Sequence, residues 1–399
     1  MLLKYHSLSL SQDLGFYKLS RCAASRSFLV FNLRARMSSS GAEVIAARLP
    51  KGKIIGRRWK ILKVLGRGSF GAVYKVEDVN TNELAALKAE SGDSNVLKLE
   101  AYILKRLANF PVFVEILQSG KKEFYSYVVM TLLGPSLEAL IGSVGKVCTV
   151  STQVRVGINA LYAVKALHDM GFIHRDLKPA NMALGAGDSD RSRLIHLFDF
   201  GLAREYVVRG ENGRAKLRRP RPVVRFRGTM RYCSVNTQER GEQGRMDDLW
   251  SLLYILVEMR GQLPWAFATD PQEILHFKKN TPAEFLLENC PVQFINFHKH
   301  IDTLNYYCRP NYTLLFTLLE NIRTAGFIRY SDPYDWEFEK LLSRRMRSSS
   351  EKNALPIGRT NATQSSISLP HARKAHCRKI ASDDSPFPAR YFATNPLGF

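Results

Sequence analysis

A lysine, two aspartates and an asparagine, far apart in the sequence, have side chains that together suit the chemistry of phosphate groups. Lys88 ends an apolar strand-like run, where an ammonium group is unfavourable unless an anion meets it. Asp176 precedes Asn181 by five residues, in a segment that Pro179 keeps from forming a regular helix. Asp199 lies in a Phe-Asp-Phe-Gly turn, and Mg²⁺ prefers carboxylate ligands. We interpret the four residues as a centre for phosphoryl transfer, with ATP as the donor and Mg²⁺ as the cofactor.

Individual roles follow from this interpretation. Asp176 is expected to accept the proton of the attacking hydroxyl, while Asn181 and Asp199 hold the magnesium ion. Lys178 is expected to neutralise the transferring phosphoryl group, and a lysine at this place is typical of kinases that act on serine or threonine. The predicted catalytic residues are therefore Asp176, Lys178 and Lys88.

Glu100 is the predicted partner of Lys88. It lies in a helix-like stretch, 96–107, that follows the lysine after a short connection. In the general template for phosphoryl transfer, such an ion pair aims the lysine at the α- and β-phosphates. The alternative is that Glu100 lies on a solvated helix face.

A glycine-rich segment lies before Lys88, between two strand-like runs. A strand follows the glycines, whereas a helix follows the glycines of a dinucleotide-binding turn. A hairpin of glycines lets backbone N–H groups approach phosphate oxygens, although such segments also occur as ordinary turns. The predicted nucleotide-contacting residues here are Leu65, Gly66, Arg67, Gly68, Ser69, Phe70, Gly71, Ala72, Val73, Ala86 and Lys88.

Two further residues are expected to support the site. Asp248 begins a predicted buried helix, 249–259, and should anchor the loop that carries Asp176. His174 is interpreted as a core support, because Asp176 already fills the role of the base.

The order of predicted elements indicates an α+β fold with two lobes, which together with the residues for phosphoryl transfer we interpret as a protein kinase fold. Strand-like patterns dominate the first part of the chain and helical periodicity the second, for example at Val154, Ile158 and Leu161. The predicted domain spans 58–340, with an amino-terminal lobe at about 58–131 and a carboxyl-terminal lobe at about 134–340. The predicted strands are 59–65, 72–79, 84–89, 112–117 and 124–130.

The two ends of the chain are predicted to lie outside this domain. Residues 1–57 are basic and poor in acids, which resembles a mitochondrial transit peptide, and Met37 is an alternative initiator. Residues 341–399 are basic, rich in serine and without apolar periodicity, so we expect a disordered tail. No apolar run is long enough to cross a bilayer, and the six scattered cysteines suit free thiols in a reducing compartment.

With these residues in view, the region from 59 to about 339 resembles the casein kinase 1 superfamily, closest to its tau-tubulin kinase branch. The diagnostic run is Ser234-Val235-Asn236, which stands where most kinases have Ala-Pro-Glu. Further similar runs are Gly228-Thr229-Met230-Arg231-Tyr232, Asp247-Asp248-Leu249-Trp250-Ser251 and Leu263-Pro264-Trp265. The resemblance implies that Met130 is the gatekeeper and that Thr131 to Leu133 meet the adenine edge. Tubulin and microtubule-associated proteins become candidate partners.

The segment after Asp199 is strongly basic, within a chain of net charge +22. It contains no serine or threonine as far as Gly228, so we expect a kinase that is active without phosphorylation there. Its arginines predict an acidic or phosphorylated substrate, bound in part by Arg227 and Arg231; the alternative is a solvated, flexible loop. Ala266 follows Leu-Pro-Trp, where family members often carry a polar residue, so the anion site is expected to be altered.

The sequence thus predicts a serine/threonine protein kinase that uses Mg·ATP, is a monomer and lies in the cytoplasm or the nucleus. One alternative is a kinase-fold scaffold that binds acidic partners such as tubulin tails. Another is a small-molecule kinase of similar fold, which the motifs and the basic segment disfavour.

Overall fold

The computed structural model describes residues 49–68, 71–145, 147–187, 190–210, 214–338 and 385–399. Within them a β-rich region precedes a mainly helical one, so the predicted two-lobed α+β architecture is confirmed. No helix in these ranges is long and apolar enough to span a bilayer.

The amino-terminal lobe is built on one antiparallel sheet of six strands in the order β1-β2-β3-β4-β6-β5. The strands are β1 (Ile54–Ile55), β2 (Trp59–Arg67), β3 (Gly71–Asp78), β4 (Leu84–Ser91), β5 (Ile116–Lys121) and β6 (Tyr125–Thr131). Helix α1 (Asn95–Arg106) packs against β5 and β6. It begins where the Ser94 hydroxyl accepts the Leu97 N–H at 3.1 Å, an N-cap that satisfies an otherwise unpaired donor.

The carboxyl-terminal lobe is organised around two buried helices, α3 and α5. The helices are α2 (Leu137–Ser143), α3 (Val150–Asp169), α4 (Val235–Gln238), α5 (Arg245–Glu258), α6 (Pro271–Asn280), α7 (Ala283–Leu286), α8 (Gln293–Asp302), α9 (Tyr312–Ala325) and α10 (Arg390–Ala393). Because α3 and α5 are apolar around most of their circumference, both lie in the core.

Short strands of this lobe carry the loops of the candidate site. They are β7 (Leu133–Ser136), β8 (Phe172–Ile173), β9 (Met182–Gly185), β10 (Ile195–Leu197), β11 (Arg204–Glu205), β12 (Val207–Arg209) and β13 (Ala215–Leu217). Strand β9 pairs with both β7 and β10, while β8 pairs with β11 and β12 with β13. The loop with Asp176 therefore leaves β8 and returns as β9, and the turn with Asp199 follows β10.

One predicted strand is displaced. The pattern predicts a strand over 112–117, whereas β5 runs over Ile116–Lys121. Val112, Phe113 and Val114 are buried in a loop instead. A short apolar run that enters a core has the same sequence pattern whether or not its backbone pairs in a sheet.

The amino-terminal boundary of the fold also differs from the prediction. Residues 1–57 were expected to lie outside the domain, yet Ile54–Ile55 pair with β2. Leu49 is buried, and its N–H donates to the Tyr74 hydroxyl at 3.0 Å. The fold therefore includes residues from Leu49 onward, and residues 1–48 lie outside the described part.

The prediction of disorder for residues 341–399 is wrong for residues 385–399. This segment contains α10 and buries Phe387 and Phe392 against the carboxyl-terminal lobe. The two aromatic side chains have no periodic neighbours, so sequence patterning does not reveal their burial. Residues 339–384 lie outside the described part.

Candidate active site

Lys88 on β4 connects acidic residues of both lobes. Its Nζ donates to Glu100 Oε2 on α1 at 2.6 Å and to Asp199 Oδ1 at 3.1 Å. Burial alone lowers the pKa of a lysine, but the two carboxylates raise the pKa of Lys88 well above its usual value. The predicted Lys88–Glu100 contact is present, and the solvated position considered for Glu100 is excluded because only 3% of this residue is exposed.

Asp199 is held in an unusual backbone conformation. Its φ of 63° and ψ of 70° lie in the left-handed region, which non-glycine residues adopt rarely. Burial raises the pKa of its carboxyl group, but Lys88 outweighs this effect and lowers the pKa below the usual value. A charged carboxylate in a strained turn points to a role in binding rather than in folding.

The loop between β8 and β9 brings Asp176 and Lys178 together. Lys178 Nζ donates to Asp176 Oδ2 at 2.8 Å, and the Thr229 hydroxyl donates to Asp176 Oδ1 at 2.6 Å. Lys178 Nζ also lies 3.4 Å from the Thr229 hydroxyl. The Asp176 carboxylate is thus oriented at both oxygens, as a group that aligns a hydroxyl for attack must be.

Asn181 and Asp199 have oxygens suited to a magnesium ion. Asn181 Nδ2 donates to the Asp176 carbonyl at 2.9 Å, so the amide oxygen is the end available to a cation. Lys88 contacts one oxygen of the Asp199 carboxylate, and the Asp199 side chain is 47% exposed. Among the described residues no group of three or more His, Cys, Asp and Glu side chains could hold a metal ion. The amide oxygen of Asn181 and the exposed carboxylate of Asp199 suit a hard cation that takes its remaining ligands from phosphates and water.

The predicted anchor of this loop is present at the start of α5. Asp248 Oδ2 accepts the His174 N–H at 2.7 Å, and Oδ1 accepts the Arg175 N–H at 2.9 Å. His168 Nε2 donates to Asp248 at 2.9 Å, while its Nδ1 accepts the Tyr312 hydroxyl at 2.6 Å. Burial lowers the pKa of His168, so its ring is neutral and bridges the two groups.

His174 is fully buried, and its ring contacts the Phe198 carbonyl at 3.1 Å. This position agrees with the core support predicted for it. Helix α5 begins at Arg245, four residues before the predicted helix, because the Asp247 carboxylate caps it by accepting the Gly244 N–H at 2.6 Å.

The glycine-rich segment lies between β2 and β3. A Cβ atom on Gly66 or Gly68 would meet nothing within 4 Å, so both positions leave room for a ligand to approach the backbone. A Cβ on Gly71 would lie 2.0 Å from the Ala89 carbonyl oxygen, so sheet packing requires this glycine. Ser69 and Phe70 lie outside the described residues.

The residues predicted to surround the adenine ring lie at the junction of the lobes. One continuous apolar cluster contains Ala86, Met130, Val73 and Leu133. Thr131 is exposed, and its N–H donates to the Glu115 carbonyl at 3.0 Å. Three further predicted residues line the same strands: Leu65 and Arg67 are exposed on β2, and Ala72 is buried on β3.

The basic segment after Asp199 is fixed by one buried glutamate. Glu242 accepts hydrogen bonds from Arg221 Nε at 2.6 Å, Arg221 Nη2 at 2.8 Å and the Arg221 N–H at 3.2 Å. Arg204 Nε lies 3.4 Å from the same carboxylate. Burial lowers the pKa of nearby Arg175 to about 10, and Arg204 and Arg221 add to this effect. Glu242 therefore supplies the negative charge at the centre of an arginine cluster.

Arg231, one of the two residues predicted for a substrate anion site, pairs with groups of the chain itself. Its Nε donates to Glu258 Oε1 at 2.7 Å, and its Nη1 donates to the Ala266 carbonyl at 3.2 Å. An internal carboxylate thus already pairs with the guanidinium, and the substrate contact expected of Arg231 stays a prediction. Arg227 is exposed and close enough to Arg175 to lower its pKa.

Sequence reasoning missed three residues that complete the site. Thr229 was noted only within the run that resembles the casein kinase 1 superfamily, and its partner Asp176 lies 53 residues away. Glu242 and His168 have no local signal, because their partners lie 21 and 80 residues away. Only the folded chain brings these pairs together.

Comparison with known proteins shows what this chain is similar to. A Caenorhabditis elegans protein named "Putative serine/threonine-protein kinase" is 44% identical over 352 residues, which cover 87% of this chain and 96% of that protein. A Dictyostelium discoideum protein named "Probable serine/threonine-protein kinase" is 38% identical over 293 residues, or 72% of this chain and 58% of that protein. A C. elegans protein named "Inactive tau-tubulin kinase" is 36% identical over 252 residues, or 61% of this chain and 87% of that protein. Residues 59–317 match the family described as Protein kinase domain, and the chain belongs to that family.

Proposed function

We propose that this chain is a serine/threonine protein kinase that transfers the γ-phosphoryl group of Mg·ATP to a hydroxyl group of a protein. The observation that carries the proposal is the position of Lys88 between Glu100 and Asp199, at 2.6 and 3.1 Å. This arrangement places a charged ammonium next to a partly exposed carboxylate. The names of two relatives support the acceptor class.

In this function each residue has a positional or electrostatic role. Lys88 would bind the α- and β-phosphates, and Asn181 and Asp199 would hold Mg²⁺, which would supply positive charge to the phosphates. Asp176 orients the acceptor hydroxyl and takes its proton, while Lys178 faces the transferring group. Thr229 fixes the Asp176 carboxylate from the other side.

The relative named as an inactive tau-tubulin kinase makes a scaffold the second candidate function. A scaffold of this fold would bind acidic partners, such as tubulin tails, without transferring phosphate. The contacts of Lys88 with Asp199 and of Lys178 with Asp176 support catalysis in this chain. We place the kinase in the casein kinase 1 superfamily, near the tau-tubulin kinases, and in the cytoplasm, as further parts of the proposal.

We also propose that the kinase is active without phosphorylation of its activation segment, the basic segment between Asp199 and Gly228. Tyr206, the only hydroxyl residue between Asp199 and Gly228, is 3% exposed and donates to the His168 carbonyl at 2.7 Å. It is therefore inaccessible to a modifying enzyme in this conformation. Glu242 supplies a fixed carboxylate to Arg221 and Arg204, so these arginines have a counter-ion without an added phosphate.

The preferred substrates are acidic or phosphorylated proteins. Four arginines of the activation segment are exposed and form no ion pair within the described part of the chain: Arg209, Arg219, Arg225 and Arg227. Clustered guanidinium groups repel one another, and a carboxylate or phosphate on the substrate relieves that repulsion. With Arg231 neutralised by Glu258, these four are the better candidates for substrate contacts.

The test uses purified full-length protein, labelled Mg·ATP and a peptide library with and without phosphorylated positions. We expect label on serine or threonine and a preference for acidic or phosphorylated peptides. The double charge reversal Arg225→Glu/Arg227→Glu should raise the KM for the acidic peptide about 10-fold, which corresponds to about 1.4 kcal/mol of binding free energy. The control reversal Lys299→Glu/Arg329→Glu changes two exposed residues elsewhere and should leave KM unchanged. Absence of transfer with intact binding of acidic peptides would favour the scaffold.

A further inference from the structure

Residues 385–399 form a segment that the kinase function does not explain. Two phenylalanines of this segment insert into a groove between α3 and α9. The Phe387 ring stacks on Tyr162 of α3 with centroids 4.1 Å apart, and the Phe392 ring stacks on Phe316 of α9, also at 4.1 Å. Only 1% of Phe387 and 0% of Phe392 is exposed, which is the burial of core residues.

Polar contacts fix the register of the same segment. Lys165 of α3 is almost completely buried, and its Nζ donates to the Thr394 hydroxyl at 2.8 Å as well as to Asp169. Arg309 Nη2 donates to the Thr394 carbonyl at 2.7 Å. A buried ammonium needs hydrogen-bond acceptors, and the Thr394 hydroxyl supplies one in addition to the Asp169 carboxylate. The groove therefore combines an apolar surface with polar contacts that fix the position of this segment.

The last part of the segment lies against the activation segment. Leu397 and Phe399 pack on the cluster formed by Ile173, Tyr206 and Val207. The Arg245 guanidinium lies over the Phe399 ring at 5.6 Å and over the Tyr206 ring at 5.0 Å.

These contacts end next to the anchor of the catalytic loop, which is the loop between β8 and β9 that carries Asp176. Tyr206 donates to the His168 carbonyl, and the His168 ring donates to Asp248, which holds the backbone of His174. Lys165 also lies 5.9 Å from the ring of Tyr312, which bonds to the other nitrogen of His168. The segment thus covers the outer side of a hydrogen-bond chain whose inner end positions the catalytic loop.

We propose that the α3–α9 groove is a docking site for residues 385–399 of the same chain, and that docking stabilises the catalytic-loop anchor. The occupant is identified by its own contacts: two stacked phenylalanines five residues apart, a threonine on a buried lysine and an aromatic ring on Arg245. Binding of the segment does not depend on phosphoryl transfer, so it can be measured whether or not the proposed kinase activity is found.

The test uses the full chain with Phe387→Ala/Phe392→Ala, together with a synthetic peptide of residues 385–399. The variant should unfold at least about 2 °C below the wild type, because two buried rings are lost. Added peptide should bind the variant and restore its midpoint, whereas a peptide with both alanines should not. Asn395→Ala, an exposed position of the same segment, is the matched control and should match the wild type. If transfer activity is present, it should fall with the midpoint and recover with the peptide.

Hydrogen exchange of the wild-type chain gives a second measurement that does not depend on the variant folding. Amide protons of residues 391–393 should be protected, and light scattering should show a monomer. Exchange at the rate of a free peptide would overturn the proposal, as would failure of the peptide to bind a folded variant. A dimer with protected segments would assign the groove to the segment of a second copy and overturn docking within one chain.

Discussion

Replacing Glu242 by an uncharged residue most clearly tests whether this carboxylate holds the activation segment in place without phosphorylation. In Glu242→Gln the side chain keeps its size but loses the charge that holds Arg221 and Arg204. The guanidinium groups of the cluster, including Arg175, then repel one another without an internal counter-ion. We expect the activation segment to leave its position and the catalytic loop to lose alignment.

The magnitude follows from the hydrogen bonds that the carboxylate accepts. Arg221 donates three, at 2.6, 2.8 and 3.2 Å, and bonds to a charged group contribute about 1.5–3 kcal/mol each. The Arg221 side chain is 46% exposed, so solvent screening reduces the sum to about 2–4 kcal/mol. A loss of about 2 kcal/mol shifts the equilibrium toward the displaced segment about 30-fold. We therefore expect kcat/KM to fall about 10- to 30-fold.

Steady-state phosphorylation of an acidic peptide measures this effect. Glu239→Gln is the matched control: this residue lies on the same loop, is exposed and pairs with Lys279 at the surface. Its kcat/KM should stay within about 2-fold of the wild type, as is usual for exposed ion pairs. In Glu242→Ala, sulfate should restore part of the activity, because two guanidinium groups then face an open anion site, whereas chloride at equal ionic strength should not.

The reasoning is refuted if Glu242→Gln and Glu242→Ala retain the kcat/KM of the wild type. It is also refuted if activity falls but sulfate has no effect and the loss follows the thermal midpoint alone. In that case Glu242 would be a residue of the folded core without a specific role in positioning the segment.

Three other perturbations test neighbouring contacts. Thr229→Val removes the hydroxyl that donates to Asp176 and should lower kcat about 10-fold with the KM for ATP unchanged, whereas Thr229→Ser should be close to the wild type in the same assay. The pKa of Asp199 is lowered and that of Lys88 is raised, so their mutual stabilisation is lost only below about pH 4 or above about pH 10. The difference in thermal midpoint between the wild type and Asp199→Asn should therefore be constant from pH 5 to 9, and a difference that shrinks within this range would contradict the assignment. Tyr206→Phe and phosphatase treatment should each leave kcat within about 2-fold, since the hydrogen bond that the buried hydroxyl donates to the His168 carbonyl is of ordinary strength.

Local chemistry made part of the site predictable from the sequence. Lys88, Asp176 and Asp199 stand in short runs whose residue types belong to phosphoryl transfer, so residue type and spacing alone suggest their roles. The α+β order was readable for a similar reason, because strand and helix periodicities dominate different halves of the chain. Asp248 was identified as an anchor since it begins a strongly apolar helix.

The remaining features depend on contacts that leave no local pattern. Arg231 was expected to bind substrate, and its ion pair with Glu258, 27 residues away, has no local signal. Glu242 was not identified because its arginines come from separate strands and loops. Phe387 and Phe392 were assigned to a disordered tail because their burial depends on α3 and α9, which lie far earlier in the chain. The composition of a segment does not reveal the surfaces of the rest of the chain against which the segment packs.

The central claim is that Lys88, Asp176 and Asp199 form one centre for phosphoryl transfer. The most direct measurement compares wild type and Asp176→Asn for two quantities, the single-turnover rate of label transfer from Mg·ATP and the affinity for Mg·ATP. The claim predicts that transfer falls by at least about 100-fold, the lower range for loss of a general base, while affinity changes less than about 3-fold. Equal transfer rates in the two proteins would contradict it.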